Sequence, residues 1–176
     1  PIIFQTDTLS AIGCKPEFSE TIYINKVRNK NKSLILMGAE ISQLLEFVHE
    51  SAIDDFNLLA SKYWPGALTM VIPTTDKEKF NFHLNKKTLG LRIPRSSYVK
   101  SLIKESGPLA TSSANISGNK TPTIAEEVSN NLPNVDVLGP IPWPKCSGEA
   151  STIISWRKKG KWKLLRKGQV LIPEVL

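Results

Sequence analysis

The chain is expected to adopt a mixed α/β fold, a twisted mixed β-sheet flanked by helices. Three observations lead there. Short apolar runs of strand length recur along the chain, and two end at proline: Leu68 to Ile72 before Pro73, and Leu89 to Ile93 before Pro94. Between such runs stand segments with apolar residues at helical spacing, such as Ile41, Leu44, Leu45 and Val48. The two kinds intermix without strict strand–helix–strand alternation, which argues against a doubly wound parallel sheet.

Taken in order, Ile2-Ile3-Phe4 reads as a strand running into Gln5-Thr6-Asp7-Thr8. Glu17 to Lys26 reads as a helix after Pro16, and Ser33 to Met37 as a buried strand. The Ile41 to Val48 helix has Ser42 near its start and extends to His49. Asp54 to Tyr63 puts Phe56, Leu59, Ala60 and Tyr63 on one face, with Asp54 or Asp55 as cap. Trp64-Pro65-Gly66 forces a turn, with Trp64 packing into the core. Ser96 to Glu105 is helical, capped by Ser96 or Ser97, and Leu109 to Ser112 is a strand. Thr123 to Asn130 is a short helix in which Thr123, Glu126 and Glu127 resemble a capping arrangement. Val135 to Leu138 is a strand, Pro140 to Gly148 a proline-rich loop, and Thr152–Trp156 with Trp162–Leu165 a hairpin.

A length of 176 residues suits one domain with one sizeable core. No apolar run approaches the roughly 18–20 residues that span a bilayer, and the first residues lack signal-peptide features. The expectation is a cytoplasmic protein with no membrane partner. Cys14 and Cys146 are far apart, with no paired-cysteine spacing and no histidine cluster, so neither a disulfide framework nor structural zinc is expected. The net charge of +7 favours an anionic partner: nucleic acid, nucleotide phosphates or an acidic membrane. The charge gathers in two places, Lys26, Arg28, Lys30 and Lys32, and the segment from Arg157 to Lys167. Each alone also reads as a solvated face.

Several segments can carry chemistry. Thr6-Asp7-Thr8 sets two hydroxyls and a carboxylate at a strand end, fit for a small polar ligand or for an ordinary turn. Lys26-x-Arg28, if extended, points a mobile ammonium and a planar fork to one side, as polyphosphate binding requires; a helix end with solvated cations is the other reading. The loop Ser112-Ser113-Ala114-Asn115-Ile116-Ser117-Gly118 after a strand suits phosphate or sugar. It is not a P-loop, because G-x-x-x-x-G-K-(S/T) is absent. A serine hydrolase is disfavoured: His49 lies in an amphipathic helix, His83 in a lysine-rich loop, and neither sits beside an acid motif. Arg92 stands inside an apolar strand, where a charge must be paired or meet a ligand.

Together these segments resemble the YrdC/Sua5 family of threonylcarbamoyl-AMP synthases. Thr6-Asp7-Thr8 with Ala11-Ile12-Gly13 is similar to the family's opening Pro-Thr-(Glu/Asp)-Thr-x-Tyr-Gly-Leu-Gly. Lys26-x-Arg28 resembles its Lys-x-Arg, followed here by Ser33-Leu34-Ile35. Trp64 to Thr69 resembles its Trp-Pro-Gly-Pro-Leu-Thr, and Leu91-Arg92-Ile93-Pro94 its Val-Arg-x-Pro strand. Ser113-Ala114-Asn115 with Ser117-Gly118, Pro122-Thr123, Ser151-Thr152 and Leu165-Arg166-x-Gly168 complete the series in order over nearly the whole chain.

The resemblance implies one YrdC-like domain over residues 1–176 around a large basic cavity. It implies a reaction in which L-threonine, bicarbonate and ATP give threonylcarbamoyladenylate and pyrophosphate. A downstream threonylcarbamoyl-transfer complex then modifies adenosine 37 of tRNA. Lys26, Arg28, Ser113 and Asn115 are the implied catalytic set, with Lys26→Ala or Arg28→Ala expected to abolish turnover at nearly unchanged melting temperature. Thr6, Arg92, Thr111 and Ser151 are implied at threonine. Lys26, Arg28, Lys32, Thr88, Ser113 and Arg166 are implied at the nucleotide. Mg²⁺ arrives with ATP, with no direct protein ligand. The alternative is a non-catalytic protein of the same fold that binds tRNA or double-stranded RNA; a carbamoyl-transfer relative from hydrogenase maturation lacks its companion domains here. Gln5, Ser10, Ser33 and Lys167 depart from the family pattern, and the helix expected before the first strand is missing from this sequence.

Overall fold

The structure, a computed structural model, describes residues 1–74 and 87–173. His83 lies outside these residues. The strands are β1 (Ile2–Gln5), β2 (Ser10–Cys14), β3 (Ile35–Met37), β4 (Leu68–Pro73), β5 (Thr88–Arg92), β6 (Leu109–Ser113), β7 (Asp136–Val137), β8 (Thr152–Lys158) and β9 (Lys161–Arg166). They form one sheet in the order β7-β1-β2-β6-β3-β5-β4-β8-β9. Pairs β1/β7, β3/β5 and β4/β8 are parallel and the others antiparallel, so the sheet is mixed, as the intermixed pattern predicts. The helices are α1 (Glu20–Asn25), α2 (Ile41–Leu45), α3 (Ile53–Tyr63), α4 (Ser97–Ser106) and α5 (Ala125–Asn131).

Strand alternation divides the sheet into two unlike faces. Ile3, Ile12, Leu36, Leu68, Met70, Leu89, Leu91, Ala110 and Ile154 point to one side, where they pack with Ile22 of α1, Leu44 of α2, Phe56 and Leu59 of α3, and Val128 of α5. This is the main core. On the opposite face Phe4, Ala11, Met37 and Leu109 pack under Val99 and Ile103 of α4 at one end. Next to them the same face borders a cavity.

The sequence reading misses β2. Ser10-Ala11-Ile12-Gly13-Cys14 is short and built of small residues, so it carries little apolar periodicity; its partners β1 and β6 on either side impose the strand. The turn before it is closed by the Thr6 hydroxyl, which donates to Leu9 O at 2.6 Å and accepts from Thr8 N and Leu9 N. The second helix ends at Leu45, and His49 instead caps a 3-10 turn at Glu50–Ala52, where its ring accepts from Ser51 N.

The side-chain caps expected for α3, α4 and α5 do not form. For α3 the reason is visible. Asp55 is drawn away to the β8–β9 hairpin, where Oδ2 accepts from Trp156 Nε1 at 2.7 Å and from Gly160 N at 2.8 Å. Trp64 does pack in the core, edge-on to Phe56 with ring centroids 5.6 Å apart. No helix among the described residues is long and apolar enough to cross a membrane.

Asp55→Ala removes both hydrogen bonds to the hairpin at once. It is expected to cost about 1–3 kcal/mol in urea unfolding, with a shift in tryptophan fluorescence from Trp156. Wild-type stability in this variant would show that the hairpin is held by its strand pairing alone.

Candidate active site

The open face of the sheet holds a cavity of about 690 Å³. Its floor follows from the alternation: Ala11 on β2, Thr111 and Ser113 on β6, Ile35 and Met37 on β3, Gly90 and Arg92 on β5, Thr69 and Val71 on β4, and Ile153 on β8. The strands that looked continuously apolar thus place their polar or small members here. Arg28 and Arg166 join Arg92 in the lining, and among the described residues no Asp or Glu lines the cavity. The described lining is therefore positive.

Arg92 is 4% exposed, and its buried charge is paired. Nη2 meets Asp7 Oδ1 at 2.9 Å, Nη1 donates to Thr8 Oγ1 at 2.9 Å, and Nε donates to Gly66 O at 3.1 Å. Burial lowers its pKa, and the Asp7 carboxylate opposes that shift. The Thr6–Thr8 turn and the Trp64–Gly66 turn thus serve as the cradle of one guanidinium. Asp7 Oδ1 also accepts from Arg95 N at 2.9 Å.

Arg166 stands at the rim and donates from Nε and Nη2 to Ser151 O, at 3.1 and 2.9 Å, and from Nη2 to Ser151 Oγ at 3.2 Å. Ser151 Oγ lies 2.9 Å from Thr69 Oγ1. The backbone after β9 folds close against this segment: a Cβ at Gly168 would overlap the Ala150 and Ser151 carbonyl groups. That contact explains a glycine two residues beyond Arg166.

The Lys26-x-Arg28 segment is not extended. Lys26 is the C-cap of α1, Val27 has φ 50°, and Val27 N and Arg28 N donate back to Ile24 O and Tyr23 O. This is a left-handed helix ending, a position usually given to glycine. It sends the two cations apart. Arg28 turns into the cavity wall, with Nη2 on Ser33 O at 2.9 Å, and its partial burial lowers its pKa. Lys26 turns behind the wall and is 0% exposed. Its Nζ donates to Ser113 O, and lies 3.5 Å from Ser113 Oγ and 3.4 Å from Asn115 Oδ1. Burial, with Arg28 and Lys32 nearby, pulls its pKa down to about 7. The three surrounding oxygens favour an ammonium that burial disfavours.

Asn115 is the hub of the adjoining loop. Its Oδ1 accepts from Ser113 Oγ at 2.5 Å and Thr121 Oγ1 at 3.2 Å, and its Nδ2 donates to Ile116 O and Asn119 O, both at 2.8 Å.

A sequence model of the Sua5/YciO/YrdC family, described as "Telomere recombination", matches residues 1–168. The chain belongs to the Sua5/YciO/YrdC family. A Bacillus subtilis protein named threonylcarbamoyl-AMP synthase is 35% identical over 136 residues, 74% of this chain and 39% of that protein. An Idiomarina loihiensis protein of the same name is 30% identical over 132 residues, 72% of this chain and 71% of that one. The structure of P. abyssi Sua5 complexed with L-threonine superposes with a TM-score of 0.83 at 28% identity, over 95% of this chain and 50% of that one. Escherichia coli YciO, at 23% identity and a TM-score of 0.80, shares the fold. The chain thus spans well under half of the Bacillus subtilis relative and half of the P. abyssi protein.

Of the residues that the Sua5/YciO/YrdC resemblance singles out, Thr6, Arg28, Thr88, Arg92, Thr111, Ser113, Ser151 and Arg166 line one cavity. Lys26, Lys32 and Asn115 are not among the lining residues: Lys26 and Asn115 are buried behind the Ser113 wall, and Lys32 is exposed. The burial of Lys26 revises the expectation for Lys26→Ala, which must also loosen the Ser113–Asn115 loop and lower the melting temperature. Sequence reasoning missed Thr69 and Thr121, which meet Ser151 and Asn115; the alternation Leu68-Thr69-Met70-Val71-Ile72 was the signal for the first.

Val27→Gly relieves a β-branched residue in the left-handed region and is expected to raise stability by about 1 kcal/mol. A loss of stability in thermal unfolding would mean that this helix ending is not strained.

Lys26 also makes a pH prediction. Its pKa falls from an ordinary 10.5 to about 7 on folding, so between these values the unfolded chain binds the extra proton. The stability it contributes is present above the unfolded value and is lost as pH falls through about 7. Relative to Lys26→Met, wild type should therefore lose unfolding free energy from pH 10.5 down to about 7 and then level off. A difference that stays constant over this range would place the titration elsewhere.

Proposed function

We propose that this chain is an L-threonylcarbamoyladenylate synthase, a nucleotidyltransferase that joins L-threonine, bicarbonate and ATP and releases pyrophosphate. The observation that carries the reading is the cavity itself: three arginines, a row of hydroxyls and apolar residues on one sheet face, with no carboxylate among the described lining residues. The names of the relatives support it, as does the L-threonine complex of P. abyssi Sua5.

The threonine amine condenses with bicarbonate, losing water, to give a carbamate. Its oxygen attacks the α-phosphorus, the α–β bridging bond breaks, and pyrophosphate leaves. Two anions must be brought into line, so the protein has to neutralise charge and hold orientation. Arg28 and Arg166, on separate walls, suit the phosphates, with Thr88 and Ser113 supplying hydroxyls. Arg92 keeps N–H groups beyond its three protein bonds and, with Thr6, Thr111 and Ser151, suits the threonine end. Lys26 and Asn115 act in this reading by holding Ser113. Lys32 meets the nucleotide only from outside the cavity lining. Ile35, Met37, Val71 and Ile153 limit water around a labile mixed anhydride.

The fit for a protein-held metal is poor. Among the described residues no His, Cys, Asp and Glu cluster is arranged to hold one, and Asp7 is committed to Arg92. Mg²⁺ in this reading is carried by the nucleotide phosphates. The reading extends to a cytoplasmic enzyme whose product passes to a second complex acting on tRNA.

Labelled bicarbonate, threonine and ATP should yield pyrophosphate and a labile adenylate. A lack of threonine-dependent product, together with salt-sensitive RNA binding, would overturn the reading. Arg28→Ala and Arg166→Ala should each lower kcat/KM about ten- to hundredfold, the value of a charged hydrogen bond or two. The melting temperature should hardly move, because neither side chain is fully buried.

A further inference from the structure

Gln5 and Ser10 lie outside the mechanism just described, yet both are 1% exposed. They face each other across the β1–β2 pair, in register, so their side chains leave the sheet on the same side. Both reach the same stretch of chain. Ser10 Oγ donates to Pro122 O at 2.7 Å, and Gln5 Nε2 donates to Thr123 O at 2.9 Å. The opposite amide orientation would set two oxygens against each other at Thr123. Gln5 Oε1 is buried with no hydrogen-bond partner. Half of a buried amide left unsatisfied is unfavourable, so the donor half is what makes a glutamine useful here.

The stretch they hold has no regular secondary structure between the Ser113–Gly118 loop and α5. It carries Thr121, which lines the cavity and whose hydroxyl donates to Asn115 Oδ1 at 3.2 Å. Besides the bonds from Gln5 and Ser10, that side-chain bond and the bond from Asn115 Nδ2 to Asn119 O tie the stretch to the site.

We infer that Gln5 and Ser10 form a paired clamp on residues 121–123 that positions Thr121 in the cavity wall, where Thr121 sets how the substrate beside Ser113 is seated. Gln5 and Ser10 are positioning residues, and Thr121 is the specificity-determining contact. The inference rests on the synthase reading only for the identity of that substrate, the nucleotide.

The test uses Gln5→Met, which keeps volume but has no donor, Ser10→Ala, the double variant, and Ser10→Thr, which restores a hydroxyl. Amide hydrogen exchange over residues 119–124 reads the tether directly. Each single variant should speed exchange there about fivefold and the double variant more, with β6 and α5 unchanged. The KM for ATP should rise about as much while kcat stays within about twofold, and Ser10→Thr should return both to wild type. Wild-type exchange in the double variant overturns the clamp, as does a KM change without an exchange change. If the double variant does not fold, Gln5→Met alone decides by the same readings, because Ser10 also lines the cavity and Gln5 does not. If wild type forms no adenylate, the synthase reading fails by itself, and the exchange arm still decides the clamp.

Discussion

One constraint organises the molecule: among the described residues, one face of the sheet carries the main core and the other carries both a smaller core and the cavity. Every strand alternates, so each apolar run that supplies the core must also send residues to the opposite side. On that side, among the described residues, α4 covers the β1–β2–β6–β3 end. What remains is a concave surface whose chemistry is written in the alternate positions of β4, β5, β6 and β8. Core and site are therefore two readings of the same strands. A one-residue slip in register would exchange Leu91 for Arg92 and destroy both.

The second organising element is the treatment of positive charge. Three arginines around one cavity repel each other and lose hydration, and the protein does not neutralise them equally. Arg92, the most buried, has a full cradle of Asp7, Thr8 and Gly66. Arg28 and Arg166 are bonded mainly to backbone carbonyl groups, which orient a guanidinium without cancelling its charge. That leaves two cations on the cavity without a carboxylate partner among the described residues. Lys26 is placed so that its amine secures the wall from behind, at the cost of a pKa depressed to about 7.

Much of this is legible in the sequence. The strand-length runs ending at Pro73 and Pro94, the helical face of Phe56, Leu59 and Ala60, and the late hairpin all appear where the pattern puts them, within a residue or two. Arg92, a charge inside an apolar run, needs a partner and has one. What the sequence does not contain is which neighbour a polar group meets. The pattern offers Asp54 or Asp55 as a helix cap, but Trp156, 101 residues away, holds Asp55 instead. Of the two readings of Lys26-x-Arg28, the structure has the helix end and not the extended pair, and a left-handed residue between the cations turns one to each side of the wall. β2 was unread because small residues give no periodic signal, and only β1 and β6 on either side make it a strand.

By itself the sequence determined the fold class, the family motifs and their order, and the basic character of the site, because these depend on residue type and on spacing within one segment. The tertiary structure alone decided which polar residues line the cavity and which support it. Ser113 and Asn115 are two residues apart, yet one lines the cavity and the other is buried behind it. Gln5 and Ser10 become a pair only when two strands align. The physical reason is that hydrogen bonds and desolvation act through distances that the fold creates between segments, and residue spacing within one segment does not contain them.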